Sequence, residues 1–463
     1  MPSGNPFSWR FVAPLYMGST LNPINSSMIA TALVPIAAFI HVSAAQTTIL
    51  VTVLYLASSI AQPTAGKLSE EFGPRRVFLA GILLVLLGGL LGGFGRDLTM
   101  LVISRILIGV GTSTAYPSAM LLIRRRAESA GMAKPPGNVL GALQIAGVVT
   151  SAVGLPIGGV LVDAWGWRTT FLVNIPFALV ALVMAALWIP KDTNMKGTKT
   201  VREISSRIDV SGIALFAMTI AALMTFLFSL PHPLWIALGL SVVLCVMLIW
   251  WELRAKHPFI DVRMLASNLA LTRTYARFAS LMLCLYTVLY GVTEWIGAAR
   301  GASALEAGLL ILPMSVLSAL VVGPVSKRNL VRGPLIVAAV SCIVASIGVL
   351  FLTTSTPIIW ILLVTLIFGV TMGTMSSSNQ TALYMQVSAD QIGTASGLFR
   401  TFGYIGSIAS SALIGIVFHT KVSDSGLHHI AIIMIAVSFI AMVMTIADRR
   451  LKAVNKDAAS ATP

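Results

Sequence analysis

Charge is scarce in this chain. Of its 463 residues only 10% are Asp, Glu, Lys or Arg, against roughly 25% in an ordinary soluble domain. Hydrophobic residues make up 57% and the mean hydropathy is +0.90. These figures exclude a soluble domain, which could not cover so much apolar surface, and a disordered chain. Cysteine is scarce too. Cys245, Cys284 and Cys342 all fall inside apolar runs, which excludes a disulfide framework or a cysteine metal centre. No His pair has metal-binding spacing within an apolar run, so no metal is expected. No G-x-x-x-x-G-K-[ST] loop occurs, so no nucleotide is implied. No cleavable signal peptide is expected either. The first apolar run carries Asn22, Pro23 and Asn25 in its middle and is too long for that role.

What is present is a series of long apolar runs. A bilayer core takes about 20 residues of helix. Fourteen such runs are expected, near 11–38, 46–66, 77–95, 98–122, 138–162, 169–190, 210–230, 234–251, 278–298, 304–325, 334–353, 356–378, 392–418 and 428–447. Barrel strands are excluded, because the runs exceed about 10 residues and do not alternate. The excess of base, 31 Lys+Arg against 16 Asp+Glu, sits in short loops, which is a topology signal rather than a nucleic-acid-binding face. With the N-terminus inside, 25 of the Lys and Arg fall on inside segments, four on outside loops, and Arg105 and Arg400 within spans. That asymmetry places both termini in the cytoplasm.

The runs group as six, two and six. Residues 1–190 are read as an N-terminal six-helix bundle, 191–209 as a cytoplasmic linker and 210–251 as two inserted helices. A second linker follows at 252–277, then a C-terminal bundle at 278–448 and a tail at 449–463. The flanking halves echo one another: Gly66-Lys67-Leu68-Ser69 against Gly323-Pro324-Val325-Ser326-Lys327, and Gly141, Gln144, Gly147 against Gly397, Arg400, Gly403. Repeated halves are characteristic of transporters.

Four motifs then carry a resemblance. Gly66-Lys-Leu-Ser-Glu70-Glu-Phe-Gly73-Pro-Arg75-Arg76 resembles the signature loop of the major facilitator superfamily, G-x-L-a-D-r-x-G-r-k. Leu101 to Gly111, with Arg105, resembles that superfamily's fourth-span motif. Gly154-Leu-Pro156-Ile-Gly158-Gly159 resembles the fifth-span exporter motif G-P-x-x-G-G. Trp167-Arg168…Phe171…Asn174-Ile-Pro176 resembles the following stretch in the fourteen-span drug:proton antiporter branch. The chain departs from the pattern at Glu70, where Asp is usual, at Pro156, one place late, and at Asn22, where the branch carries Asp. The resemblance implies an all-α membrane fold of two six-helix bundles plus two inserted helices that rock about a central cavity.

Individual residues are read against plainer alternatives. Glu70 on a tight loop with Gly66, Gly73, Arg75 and Arg76 is a gating latch that meets a base or a helix N-terminus, or else a solvated loop acid. Arg105 within a span is costly, so it is a relay or substrate-orienting charge, or a structural group tied to carbonyls. Glu294 is the one acid well inside an apolar run, and it is the first candidate for proton coupling. A carboxyl takes up a proton in a dry pocket and releases it in a wet one. The plainer alternative is an interfacial glutamate beside Trp295 of the aromatic belt. Asp163 is the second coupling candidate, or the partner of Arg168. Asn22, Asn25, Tyr55, Gln62, Gln144, Tyr286, Tyr290 and Arg400 are expected to line a cavity for an amphipathic solute, or to hydrogen-bond between helices. Gly154, Pro156, Gly158 and Gly159 mark a helix bend.

These readings converge on a secondary transporter, not an enzyme. It exports small amphipathic compounds against protons, as a monomer in the bacterial inner membrane, with the proton gradient as its only energy source and no cofactor. Uptake or exchange of a metabolite or organic anion is the alternative within transport. A membrane-embedded enzyme is the alternative of another class.

Overall fold

The computed structural model describes residues 6–42, 47, 49–132, 135–192, 208–230, 232–302, 304–328, 330–418 and 421–448. Among them the chain is helical and no strand occurs. Twelve helices are long and apolar enough to cross a membrane. Helices are forced here because lipid offers backbone N–H and C=O groups no partner. At the first expected span lies Trp9–Met28, followed by a single 3-10 turn and Leu33–Ile40. It falls outside the twelve because Ser19, Thr20, Asn22 and Asn25 make it too polar. At the fifth lies Gly137–Trp165, of which Gly137–Ser151 counts as a shorter apolar stretch. Large apolar side chains stand exposed on helices throughout, such as Leu187, Ile236, Leu320 and Ile440. Acyl chains, not water, suit such surfaces.

The chain divides into two compact units. The first holds Met1–Ile220, Val246–Asp261 and Val387–Thr401. Its core gathers Ile29, Ile36, Leu50, Leu54, Leu101, Ile108, Trp167 and Phe171. Trp9–Met28 packs along Gly137–Trp165, and Pro74–Gly93 along Leu98–Ser113. The second holds Ala221–Cys245, Val262–Gln386 and Phe402–Pro463. In it Ile358–Gln386 packs on Ala304–Lys327 and Arg332–Leu350, and the latter on Asp424–Ala447.

Three expectations need correction. Arg277 does not sit in a loop. It lies within the helix Leu269–Thr287, 0% exposed, where Nε donates to Asn379 Oδ1 (3.1 Å) and Nη2 to Thr274 Oγ1 (3.1 Å). A partner amide across the bundle makes its burial tolerable, and removing one base from 25 leaves the charge asymmetry intact. Glu294, the one acid expected well inside an apolar run, is exposed, whereas Asp209, Glu252 and Asp448 are buried. Trp295 does not face lipid. It is fully buried, with Nε1 donating to Asp424 Oδ1 at 2.8 Å. Of the expected linker 191–209, only 191–192 and 208–209 are among the described residues, and the tail 449–463 lies outside them.

Candidate functional site

One cluster occupies the end of the first unit where Ile49–Phe72 gives way to Pro74–Gly93. Gly73 between them has φ +100°, a conformation that a side chain resists. A Cβ there would also strike the Asp192 carboxylate. Asp192 accepts from Arg75 N (3.2 Å) and Arg76 N (3.0 Å), so an anion caps the helix start. Arg75 reaches back to Ala186 O at 2.7 Å. One turn before Gly73, Glu70 meets a second helix N-terminus. Its Oε1 accepts from Thr394 N (2.7 Å) and its Oε2 from Thr394 Oγ1 (2.9 Å), in the first turn of Ile392–Phe418. Gly66 makes this possible, since a Cβ on it would overlap the backbone of Gly393. Gly66, Glu70, Gly73, Arg75 and Arg76 are thus brought together.

A polar seam runs through the interior of the same unit. Asn22 Nδ2 donates to Ser58 Oγ (3.0 Å) and Thr112 Oγ1 (2.9 Å). Asn25 and Asn174 exchange amide hydrogen bonds at 2.6 and 3.0 Å. Arg105, 1% exposed, donates to Leu50 O (3.0 Å) and Asn25 O (3.2 Å). It forms no ion pair among the described residues. These bonds tie the first turn of Ile49–Phe72 to the last turn of Trp9–Met28. Gln62 and Gln144 are buried and Tyr55 is half-buried. The Arg400 guanidinium lies 4.0 Å from the Tyr116 ring centroid, close enough for cation–π attraction. The Arg400 Nε is buried without a hydrogen-bond partner.

The fifth-span glycines divide. Gly154 abuts Ser27, and Gly158 abuts Met28 and Thr31, so each allows the first span to lie close, whereas Gly159 meets open space. Pro156 lies within Gly137–Trp165, but its side chain is outside the described residues. Asp163 is exposed and does not pair with Arg168. That guanidinium lies 4.2 Å from the Phe39 ring centroid and 4.4 Å from that of Trp167.

The second unit holds a pocket of about 390 Å³ lined by Tyr290, Glu294, Ser411, Ile414, Gly415 and Phe418. It is open rather than enclosed: Tyr290 and Glu294 on its wall are exposed. Tyr286 and Tyr290 lie beside each other, ring centroids 5.5 Å apart. The helix widens into a π turn over Val288–Val292 before resuming at Thr293–Ala298, a feature frequent at functional sites. Glu294 follows directly. Among the described residues it makes no hydrogen bond or ion pair, and it is the only charged group on the pocket wall.

With this geometry in view, comparison with known proteins is decisive. Residues 15–207 and 210–411 match the family model of the Major Facilitator Superfamily. This chain belongs to that superfamily. Among its relatives is the uncharacterised MFS-type transporter YwoD of Bacillus subtilis, 31% identical over 94% of this chain and 96% of that one. The tetracenomycin C resistance and export protein of Streptomyces glaucescens is 26% identical over 90% of this chain and 77% of that one. The crystal structure of the human organic anion transporter MFSD10 (TETRAN) superposes with a TM-score of 0.64 at 14% identity, over 94% of this chain and 99% of that one. That likeness concerns the fold.

As a Major Facilitator Superfamily member the chain is an integral, multi-pass membrane transporter for a small-molecule substrate, not an enzyme. Sequence reading missed Asn174 as a partner of Asn25, Asp192 as a helix cap, Tyr116 under Arg400, and Thr394 at the latch. Asp192 carried a signal as an acid just past a span end, and Asn174 as part of the stretch Trp167 to Pro176. Tyr116 and Thr394 are uncharged residues in apolar helices, and only packing reveals their contacts.

Proposed function

We propose that this transporter exports small amphipathic organic compounds in exchange for protons by alternating access. It does so as a fourteen-span monomer in a bacterial inner membrane, with both termini cytoplasmic. The inside–outside imbalance of Lys and Arg supports the orientation. The export role named for the Streptomyces relative supports the direction. The observation that carries the coupling is Glu294, a carboxyl bare of partners on the wall of a pocket otherwise made of Tyr290, Phe418, Ser411, Ile414 and Gly415. A carboxyl there binds a proton while the pocket is dry and loses it when the pocket wets. The rings of Tyr290 and Phe418 offer an apolar solute its contact surface. Glu70 on Thr394 acts as the latch of the gate, and Arg105 holds the ends of two helices in register.

In proteoliposomes with an imposed pH gradient, Glu294→Gln abolishes proton-driven accumulation. It leaves solute binding, read as ligand-induced thermal stabilisation, largely intact. Unchanged pH-driven transport in that variant removes Glu294 from the mechanism. A compound screen by thermal stabilisation at two pH values identifies the solute. One observation favours an organic anion as a second reading: Arg400 carries a buried, unbonded Nε over Tyr116.

A further inference from the structure

The inserted helices carry a site that their apolar sequence hides. Asp209 immediately precedes the helix Val210–Phe228, and Glu252 ends Trp235–Glu252. Both are buried, 6% and 3% exposed. Asp209 sits at φ +55°, a strained conformation for a residue with a side chain. In it, Oδ1 accepts from Gly212 N (3.0 Å) and Trp251 Nε1 (2.8 Å), and Oδ2 from Phe259 N (3.3 Å). Glu252 Oε1 accepts from Ile260 N at 3.2 Å, while its Oε2 is buried with no hydrogen-bond partner. The two carboxyls converge over one Cα, since a Cβ on Gly212 would meet both Asp209 Oδ2 and Glu252 Oε1.

No Lys or Arg among the described residues forms an ion pair with either acid. Lys67 of Ile49–Phe72 reaches the same loop but is engaged by Pro258 O at 3.1 Å. Arg254 lies 3.9 Å from the Trp250 ring centroid. Lys256 and His257 are exposed, and Asp261 is one more acid. Two buried carboxyls side by side, with no counter-charge among the described residues, do not both ionise. Three donors converge on the Asp209 carboxyl. The bare Oε2 leaves Glu252 as the member of the pair with an oxygen open to a proton.

We propose that Asp209 and Glu252 form a proton-binding site, the proton held on Glu252, which clasps the segment 253–260 against the inserted helices. Loss of that proton sets two negative charges against each other in a buried space, and the clasp opens. The segment is also tied to the gating helix, because Lys67, which binds Pro258, lies three residues before Glu70. The site therefore reads the pH of the Lys- and Arg-rich face and passes it to the latch.

The test uses the full-length protein in lipid nanodiscs and no solute, so its outcome is separable from that of the transport reading. Infrared difference spectra across a pH titration should show a protonated-carboxyl C=O band that fades as pH rises and is missing in Glu252→Gln. Hydrogen exchange of 253–260, with labelling times scaled to the intrinsic rate at each pH, should lose roughly tenfold protection over the same range in the wild type. In Glu252→Gln, a permanently neutral mimic, protection should persist at every pH. Protection in the wild type that is independent of pH overturns the proposal, and that measurement needs no variant to fold. A Glu252→Gln protein that tracks the wild type, or that retains the band, overturns it as well.

Discussion

Glu70 and Glu294 are the same residue type in opposite circumstances. Glu70 has both oxygens engaged by the N–H and hydroxyl of Thr394 at a helix N-terminus. Glu294 lines a pocket with no partner among the described residues. A carboxyl whose oxygens are both engaged by fixed donors fastens the elements that supply them. A carboxyl without donors is free to change its charge with its surroundings. The contrast separates a group that holds structure from one able to perform chemistry.

Exchanging each acid for its amide breaks this contrast most sharply. Glu294→Gln removes proton-driven accumulation altogether, whereas Glu70→Gln keeps an acceptor for Thr394 N and retains most of it. Both are read as uptake against an imposed pH gradient. Next in size is Arg105→Met. It removes the hydrogen bonds to Leu50 O and Asn25 O that tie two helices together, and lowers thermal stability by about 1–3 kcal/mol. A smaller loss than from an exposed Arg→Met change, such as Arg254→Met, rules out its structural role. Glu70→Ala releases the latch and weakens the closed gate by about 1–2 kcal/mol, roughly a 5–30-fold shift in the ratio of states. Faster hydrogen exchange over 392–396 reports it. Thr394→Val removes one of the two latch bonds and produces the smallest change, about 0.5–1.5 kcal/mol in the same measurement.

The helical character of the chain was legible because a lipid environment leaves long apolar runs one economical conformation. The clustering of Glu70, Gly73 and the paired arginines was legible for a different reason: they lie within eleven consecutive residues, and local geometry fixes most of their relations. Arg105 was legible as an oddity but not in its role. Nothing in Leu101–Gly111 announces that its partners are the carbonyls of residues 50 and 25. Arg277 was misplaced in exposure because span ends are read from hydropathy. A charged residue just beyond an apolar run looks solvated until a partner on another helix is found.

The sequence by itself determined that this protein lives in a membrane, which face of it is rich in base, and which family it resembles. Those properties are sums over composition and short motifs, and they survive any rearrangement of the helices. Which acids are bare and which are clasped was decided only by the tertiary structure. A carboxyl's chemistry depends on donors within about 3 Å, and here those donors come from residues as far apart in the chain as Glu70 and Thr394.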